Sequence, residues 1–559
     1  MARTSDMVVS TLIEMGVDRV FTLPGLGITW TLDAFHAQRE KLKVVLTRSE
    51  QTASVMAQVV GRLTGRPGVL MGQGPFTATT GAFGILEAHF AGSPMLVLTE
   101  TSDYDGFGQY GVYQTMTGDY GGADIQAMLR SITKYVTYAT EPQDAVYGLQ
   151  LAYKHASLPR QGPAAVIMKS GIVRREMPDA PRAKLFPSMG YLQYTATRPD
   201  EAAVSRLGEM LTKAERPVVI AGNGAAHASD ALARLATRDG IAVTTSYNGK
   251  GIIDETAAVC AGMLGTWGCP TANRTVAAAD LVVVLGASLA PDYTRFRDPR
   301  MIRPGEQKIV QVDIDPRNAG WVVPVDLAIT GDVGDVLALL EKTKPAGRQL
   351  VDQRLAAIKA IKRETGYDQP PRYSAAPGSV HFTDIVATLQ RFLGADDMLT
   401  LDAGANRIWA TNALRMRHPG RLLVPGGIGG MGWGAPAAAG AKLVYPRRRV
   451  TCLTGDGGFA MTAHVLATCM QEDIPIVVLV ANNAGLGMVR DNLGNSRIAV
   501  DYTDINFARI AEGFGASGMR VSHPGEIGDA LAEAHRRGGP VVIDVRVDPA
   551  ASHRDAVDP

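Results

Sequence analysis

The chain has 559 residues, 46% of them hydrophobic and 20% charged, an ordinary globular composition, and this length suggests roughly three to four domains. Lys and Arg total 56 against 55 Asp and Glu, leaving a net charge of +1, so charge gives no reason to expect a nucleic-acid or acidic-lipid partner. No window reaches ~18 uninterrupted apolar residues, so no membrane span is expected. The first residues run into a helix carrying Asp6 and Glu14 without an apolar core or cleavage site, so neither a signal nor a transit peptide is expected. Cys260, Cys269, Cys452 and Cys469 lack CxxC spacing and read as buried thiols of a reducing compartment, the cytoplasm.

Three blocks of alternating strand and helix follow one another. In the first, strands are predicted at 19–23, 43–46, 68–71, 95–98 and 164–168, with helices including 50–63 and 146–156. A Pro- and Arg-rich stretch from 177 reads as a linker. The second block has strands at 217–221, 243–245, 281–285 and 308–313 and ends in a helix at 333–340. A charged helix and the loop Gln369-Pro370-Pro371-Arg372 form a second linker. The third block carries strands at 398–401, 421–424, 450–453 and 474–480, helical spacing over 459–471, and an end near Val545. The polar tail 548–559 is expected to be mobile. Apolar on both faces, these strands belong to parallel sheets covered by helices.

Five stretches bear on chemistry. Thr47-Arg48-Ser49-Glu50-Gln51 puts Glu50 in the first turn of a helix, where a carboxylate commonly offsets the dipole. The strand before Gly222-Asn223-Gly224 gives a nucleotide signal that is weak alone, to which Gly286-Ala287-Ser288 and Asp313-Ile314-Asp315 add. Asp402-Ala403-Gly404-Ala405-Asn406 opens a helix after a strand, a fair place for an anion. The run from Gly427 to Gly434 contains a GxGxxG and admits a NAD-dependent dehydrogenase. Against this, the next acid, Asp456, lies inside Thr454-Gly455-Asp456-Gly457-Gly458-Phe459, and a ribose role for it leaves Asn482-Asn483 unexplained. Gly-Asp-Gly by itself is a turn. Paired with Asn482-Asn483 at the end of the next strand, it offers a carboxylate and an amide oxygen, which with phosphate oxygens and water is how Mg²⁺ is usually held. The glycines let backbone approach a phosphate.

This pairing resembles the diphosphate–metal motif of thiamine-diphosphate-dependent enzymes. The likeness continues in Val20-Phe21-Thr22-Leu23-Pro24-Gly25 and Gly65-Arg66-Pro67-Gly68-Val69 on either side of Glu50, and in Leu486-Gly487-Met488-Val489, so that nearly the whole chain is similar to the acetolactate synthase / pyruvate oxidase type. The resemblance implies an α/β fold of three consecutive doubly wound parallel-sheet domains: pyrimidine-binding at 1–175, central and nucleotide-binding-like at 190–345, and diphosphate-binding at 375–548. It implies that Asp456, Asn483 and the Gly485 carbonyl hold Mg²⁺. Pro24, Gly25, Asn406, Gly429, Gly455, Gly457, Gly458, Leu486, Gly487 and Met488 would line the cofactor, and Met431 would wedge between its rings. Glu50 would share a proton with the aminopyrimidine and so promote loss of the C2 proton. Gln114 would be a second catalytic, substrate-facing group, and Phe76, Met488 and Val489 would line the substrate pocket. The middle domain would hold FAD, an ADP-like nucleotide or nothing. Active sites would lie at the subunit interface of a homodimer or homotetramer.

Some residues depart from that pattern. Ser49 stands where many relatives have His, Phe76 replaces a glycine, and Ala405-Asn406 replaces Gln-His of the synthases and looks more like 2-hydroxyacyl-CoA lyases and oxalyl-CoA decarboxylases. Arg490 reads equally as a surface charge. The expected reaction is decarboxylation of a 2-oxo acid with transfer of the remaining fragment to a second carbonyl. The alternatives are C–C cleavage of a 2-hydroxyacyl-CoA, simple decarboxylation, and oxidation.

Overall fold

A computed structural model describes residues 2–101, 116, 118, 122–177, 184–369 and 372–557. Gln114 and parts of both predicted linkers lie outside them. The first sheet contains β1 (Arg19–Leu23), β2 (Lys43–Leu46), β3 (Gly68–Gln73), β4 (Met95–Thr101), β5 (Tyr135–Ala139) and β6 (Pro163–Lys169), in the order 2-1-3-4-6-5. The second contains β7 (Pro217–Ala221), β8 (Ala242–Thr245), β9 (Cys260–Met263), β10 (Leu281–Leu285), β11 (Lys308–Asp313) and β12 (Leu327–Thr330), in the order 12-11-10-7-8-9. The third contains β13 (Met398–Leu401), β14 (Leu422–Leu423), β15 (Val450–Gly455), β16 (Val477–Asn482), β17 (Ser517–Val521) and β18 (Val541–Arg546), in the order 14-13-15-16-18-17. Neighbouring strands pair in parallel in all three. The α/β expectation therefore holds.

The first and third sheets have the same strand order, a duplication that no sequence repeat announces. In each, the order reverses beside the first strand, between β1 and β3 and between β13 and β15. Open α/β sheets bind ligands at the carboxyl ends flanking such a reversal. In the second sheet the corresponding place lies between β7 and β10.

The sheets do not stand apart. One buried core runs from Phe21, Val45 and Met56 of the first domain to Trp433, Val450 and Phe459 of the third, and another joins Val282 and Met301 of the second to Leu399 and Trp409 of the third. The helix Glu50–Thr64, capped by Ser49 and ended by Gly65 in the left-handed conformation, packs on the helix Gly434–Val444. The four cysteines are buried and unpaired. Among the described residues no helix is long and apolar enough to cross a membrane.

The tail expected to be mobile is instead docked as far as 557. Asp491 accepts from the Ser552 hydroxyl, the His553 amide and His553 Nδ1, and Arg490 donates to the Pro549 carbonyl. Polar composition concealed this because the partners are themselves polar groups on the helix Gly487–Leu493.

A buried ion pair ties the second domain to the third. Lys250 Nζ lies 2.7 Å from both Glu255 oxygens and donates to the Leu414 carbonyl, while Glu255 accepts the Met416 amide. Glu255→Ala strands a buried ammonium, which costs about 3–5 kcal/mol. We expect a clear fall in the urea midpoint, largely recovered in the double variant Lys250→Met, Glu255→Leu. A single variant as stable as the wild type would sink this account.

Candidate functional site

Asp456 is the first residue after β15 and opens the helix Asp456–Thr462. Its carboxylate is buried and accepts the Gly457 amide at 2.7 Å and the Gly485 amide at 2.9 Å. Burial pushes its pKa up, against the pull of those amides and of Arg490. The Gly485 bond spans two strand ends, so Asp456 and the loop after β16 form one unit. Gly485 is required there, because a Cβ would stand 2.4 Å from the Val500 carbonyl.

The two asparagines divide the work. Asn482 is structural: its amide nitrogen donates to Asp544 and to the Ile505 carbonyl, and its oxygen accepts the Ala484 amide. Asn483 faces Gly485 and Arg490: its nitrogen donates to the Gly485 carbonyl at 2.9 Å and its oxygen accepts from Arg490 at 3.1 Å. A carboxylate, an amide oxygen and a carbonyl are the hard donors that Mg²⁺ takes. Among the described residues no group of three or more His, Cys, Asp or Glu offers another metal site. Arg490 is not a surface charge. It is 4% exposed and donates to Asp501 and Pro549 behind the Asn483 backbone.

Above Gly457 three segments meet. A Cβ there would come 2.9 Å from Met431 Cε, 3.1 Å from Leu486 Cδ2 and 3.1 Å from the Tyr502 hydroxyl. Met431 thus sits over the Gly-Asp-Gly turn, with Gly429 before it in the left-handed conformation. Met488 is partly buried against the core, and Val489 is exposed. Asn406 lies beside this group. Its nitrogen donates to the Asp402 and Leu453 carbonyls, which leaves its oxygen directed at Gly404 and Gly455.

The first domain brings Pro24, Gly25, Glu50 and Phe76 to its own reversal point. Gly25 lies directly on Gln73, where a Cβ would overlap the side-chain oxygen, and Glu50 Cγ lies 3.6 Å from the Cβ position of Gly72. The Glu50 carboxylate accepts no hydrogen bond from the described residues. Phe76 is 50% exposed.

Sequence reasoning left three residues of the arrangement without a role. Tyr502 was not singled out at all. Glu87 is buried in the helix Ala82–Ala91 and accepts the Gly427 and Ile428 amides at 2.8 Å. Burial pushes its pKa up, opposed by those amides and by Arg62 and Arg407. Asp402 was read only as part of an anion-site motif. Its carboxylate accepts the Thr454 hydroxyl and the Ala403, Gly432 and Trp433 amides, so it fixes the segment that carries Met431. Burial pushes its pKa up, and the Thr454 hydroxyl and the amides pull it back. Their partners are distant in the chain, so only the Asp402 motif could have hinted at any of this.

A cavity of about 890 Å³ opens at the β7/β10 reversal, within the usual range of ligand pockets. Gly222, Gly224 and Gly286 form its floor, packed so closely that a Cβ on Gly222 would stand 2.2 Å from the Gly286 carbonyl. Asp313, Arg160, Gly426 and Gly427 bring in walls from all three domains. His89 Nδ1 and Asn248 Oδ1 are buried at its edge without a partner among the described residues.

Two parallel domains of the same strand order, the later one carrying the Asp456–Gly485 unit, stand on either side of a middle domain with an open cavity, the arrangement of a three-domain cofactor enzyme. Family models agree with this: the N-terminal TPP binding domain of thiamine pyrophosphate enzymes matches 2–123, the central domain 204–340 and the C-terminal TPP binding domain 402–545. The chain belongs to the thiamine pyrophosphate enzyme family. It is 30% identical to an acetolactate synthase large subunit of Corynebacterium glutamicum, over 96% of this chain and 85% of the relative. It is 29% identical to the acetolactate synthase isozyme 3 large subunit of Escherichia coli, over 97% and 94%. A probable acetolactate synthase large subunit of Methanocaldococcus jannaschii is also 29% identical, over 98% and 92%.

Asp402→Ala leaves a buried hydroxyl and several amides unpaired, each costing about 1–3 kcal/mol. The expected outcome is a lower denaturant midpoint, with faster amide exchange confined to the peptide around Gly427 to Trp433. Unchanged exchange in that peptide would show that Asp402 does not hold it.

Proposed function

We propose that this chain decarboxylates a 2-oxo acid and joins the remaining fragment to a second carbonyl compound. The observation that carries this is the meeting of Met431, Leu486 and the Asp456–Gly485 bond around Gly457, in a chain whose relatives are named acetolactate synthase large subunits. Asp456, the Asn483 oxygen and the Gly485 carbonyl would hold Mg²⁺ and, through it, a diphosphate. Gly455, Gly457, Gly458 and Gly487 let the backbone come close. Met431 and Leu486 support the rings, with Gly429, Asn406 and Met488 around them. Thiamine diphosphate, when bound, supplies a carbon nucleophile that can hold the electrons released with CO₂. Glu50 holds a proton against the pyrimidine end, beside Pro24 and Gly25. Phe76 and Val489 exclude water from the substrate, and Gln114 is proposed to face it.

A second copy of the chain is proposed to complete the site in a dimer or tetramer. Glu50 has no hydrogen-bond partner among the described residues of its own chain, and Leu26, Phe76, Met461 and Val489 stand 82%, 50%, 50% and 46% exposed. The middle cavity is proposed to take FAD or an ADP-like nucleotide, supported by its volume and by His89 and Asn248, unpartnered among the described residues. The domain limits proposed are 1–175, 190–345 and 375–548, and the buried free cysteines favour the cytoplasm.

Mass spectrometry of products from a panel of 2-oxo acids and aldehydes tests the reaction. Ser49, Phe76 and Ala405-Asn406 are the reason to include donors beyond pyruvate. Release of CO₂ with a coupled product, independent of oxygen, is expected. The reading fails if no donor yields a coupled product while a 2-hydroxyacyl-CoA is cleaved, or if turnover consumes oxygen and makes peroxide. In a separate titration calorimetry experiment, Asp456→Ala should lose Mg²⁺-dependent binding of thiamine diphosphate while keeping the wild-type fold by circular dichroism. Tight, metal-dependent binding in that variant would remove Asp456 from the metal site.

A further inference from the structure

The helix Val465–Gln471 and its flanks turn one face toward the first domain. His464, Thr468, Gln471 and Glu472 have the i, i+4, i+7, i+8 spacing of a single helical stripe. Each meets β2 or the turn after it. Glu472 lies 3.0 Å from Lys43 Nζ and accepts the Leu46 amide, Gln471 accepts from Arg48 at 2.8 Å, and Thr468 donates to the Leu46 carbonyl. At the inner end, His464 Nε2 lies 2.8 Å from Ser49 Oγ and 3.0 Å from Thr52 Oγ1. The seam therefore ends on the residue immediately before Glu50.

Ser49 is the N-cap of the helix that Glu50 opens, and its oxygen already accepts the Thr52 amide at 3.1 Å. The ring nitrogen of His464 is the closer of its two side-chain partners, Thr52 Oγ1 being 3.2 Å away. Burial lowers the His464 pKa, which favours the neutral ring. Arg48, Lys43 and Glu472 are engaged along the seam.

We propose that His464 is a positioning residue for Glu50: through its hydrogen bond to the Ser49 hydroxyl it fixes the first turn of the helix, so that the domain proposed to hold the diphosphate also sets the carboxylate at the pyrimidine end. This rests on the proton-sharing role proposed above for Glu50. It also places an imidazole of the third domain against Ser49.

The test uses the full-length protein with His464→Ala, His464→Gln, Ser49→Ala and, as a control, Glu50→Gln. In the protein without cofactor, amide exchange is read in the peptide covering 47–54. With thiamine diphosphate and Mg²⁺, C2 proton exchange of the cofactor and its dissociation constant are read by NMR and calorimetry. Loss of one hydrogen bond at a cap corresponds to about a tenfold effect. His464→Ala and Ser49→Ala should each speed amide exchange at 50–53, and slow C2 exchange, by about that factor, with the dissociation constant little changed. His464→Gln, whose amide reaches about as far as Nε2, should restore both. If Glu50→Gln is slow but His464→Ala and Ser49→Ala exchange at wild-type rates, the inference falls and Glu50 stands. If Glu50→Gln itself matches the wild type, the role of Glu50 falls and the inference with it. If stability, affinity and C2 exchange decline together and Gln does not rescue them, His464 is only a packing residue. Should His464→Ala not fold, Ser49→Ala and His464→Gln decide the matter.

Discussion

Seven of the eleven residues of the helix Gly434–Val444 are Ala or Gly, and this lets it lie flat against Glu50–Thr64. A Cβ at Gly440 would already stand 3.1 Å from the Met56 carbonyl. Larger side chains would push the helices apart, since interiors at native density have no slack to absorb them. This contact joins the first and third domains into one core, and it carries the Glu50 turn and the Met431 segment as a unit. Gln51, next to Glu50, reaches within 3.4 Å of the Cβ position of Gly432.

Around that contact the two duplicated sheets have been put to different uses. Each has a crevice at its reversal point. In the first, Gly25 and Gln73 fill the crevice and leave one carboxylate, Glu50, with no hydrogen-bond donor among the described residues. In the third, a buried carboxylate sits on either side of the reversal. Asp402 is spent on structure, its desolvation offset by a hydroxyl and three amide partners. Asp456 keeps fewer partners and shares its loop with Asn483 and Gly485. A buried charge fully satisfied by the protein holds a segment in place, whereas one only partly satisfied can still take a cation.

Polar ties from outside each domain hold the segments that carry the site. Glu87 of the first domain fixes Gly427 and Ile428, Arg62 donates to the Val424 carbonyl, and Trp433 donates to Gln58. The tail is tied to Arg490 and Asp491 and so braces the helix that follows Asn483. Loops at strand ends carry function because a rigid scaffold positions them. Here part of that scaffold belongs to another domain.

The sequence by itself determined most of the central strands and the doubly wound class, and it singled out Met431, Asp456, Gly457 and Leu486, which the fold brings together. Strands such as β7, β10 and β13 are legible because burial on both faces demands an apolar run, and Asp456 with Asn482-Asn483 is legible because its donors sit at two consecutive strand ends. Of the unpredicted strands, β5, β9, β12 and β17 lie at sheet edges, while β18 lies inside the third sheet between β16 and β17. β5, β12 and β17 are only partly buried, and β9 is the weak strand former Cys-Ala-Gly-Met, so no periodic signal was required of them. Only the tertiary structure decided the shared strand order of the two outer sheets, the docking of the tail, the burial of Arg490, and the partners of Asp402, Glu87 and His464. Each of those depends on a hydrogen bond between residues tens to hundreds of positions apart, or on the order in which strands lie side by side. Local propensity and spacing carry no information about either.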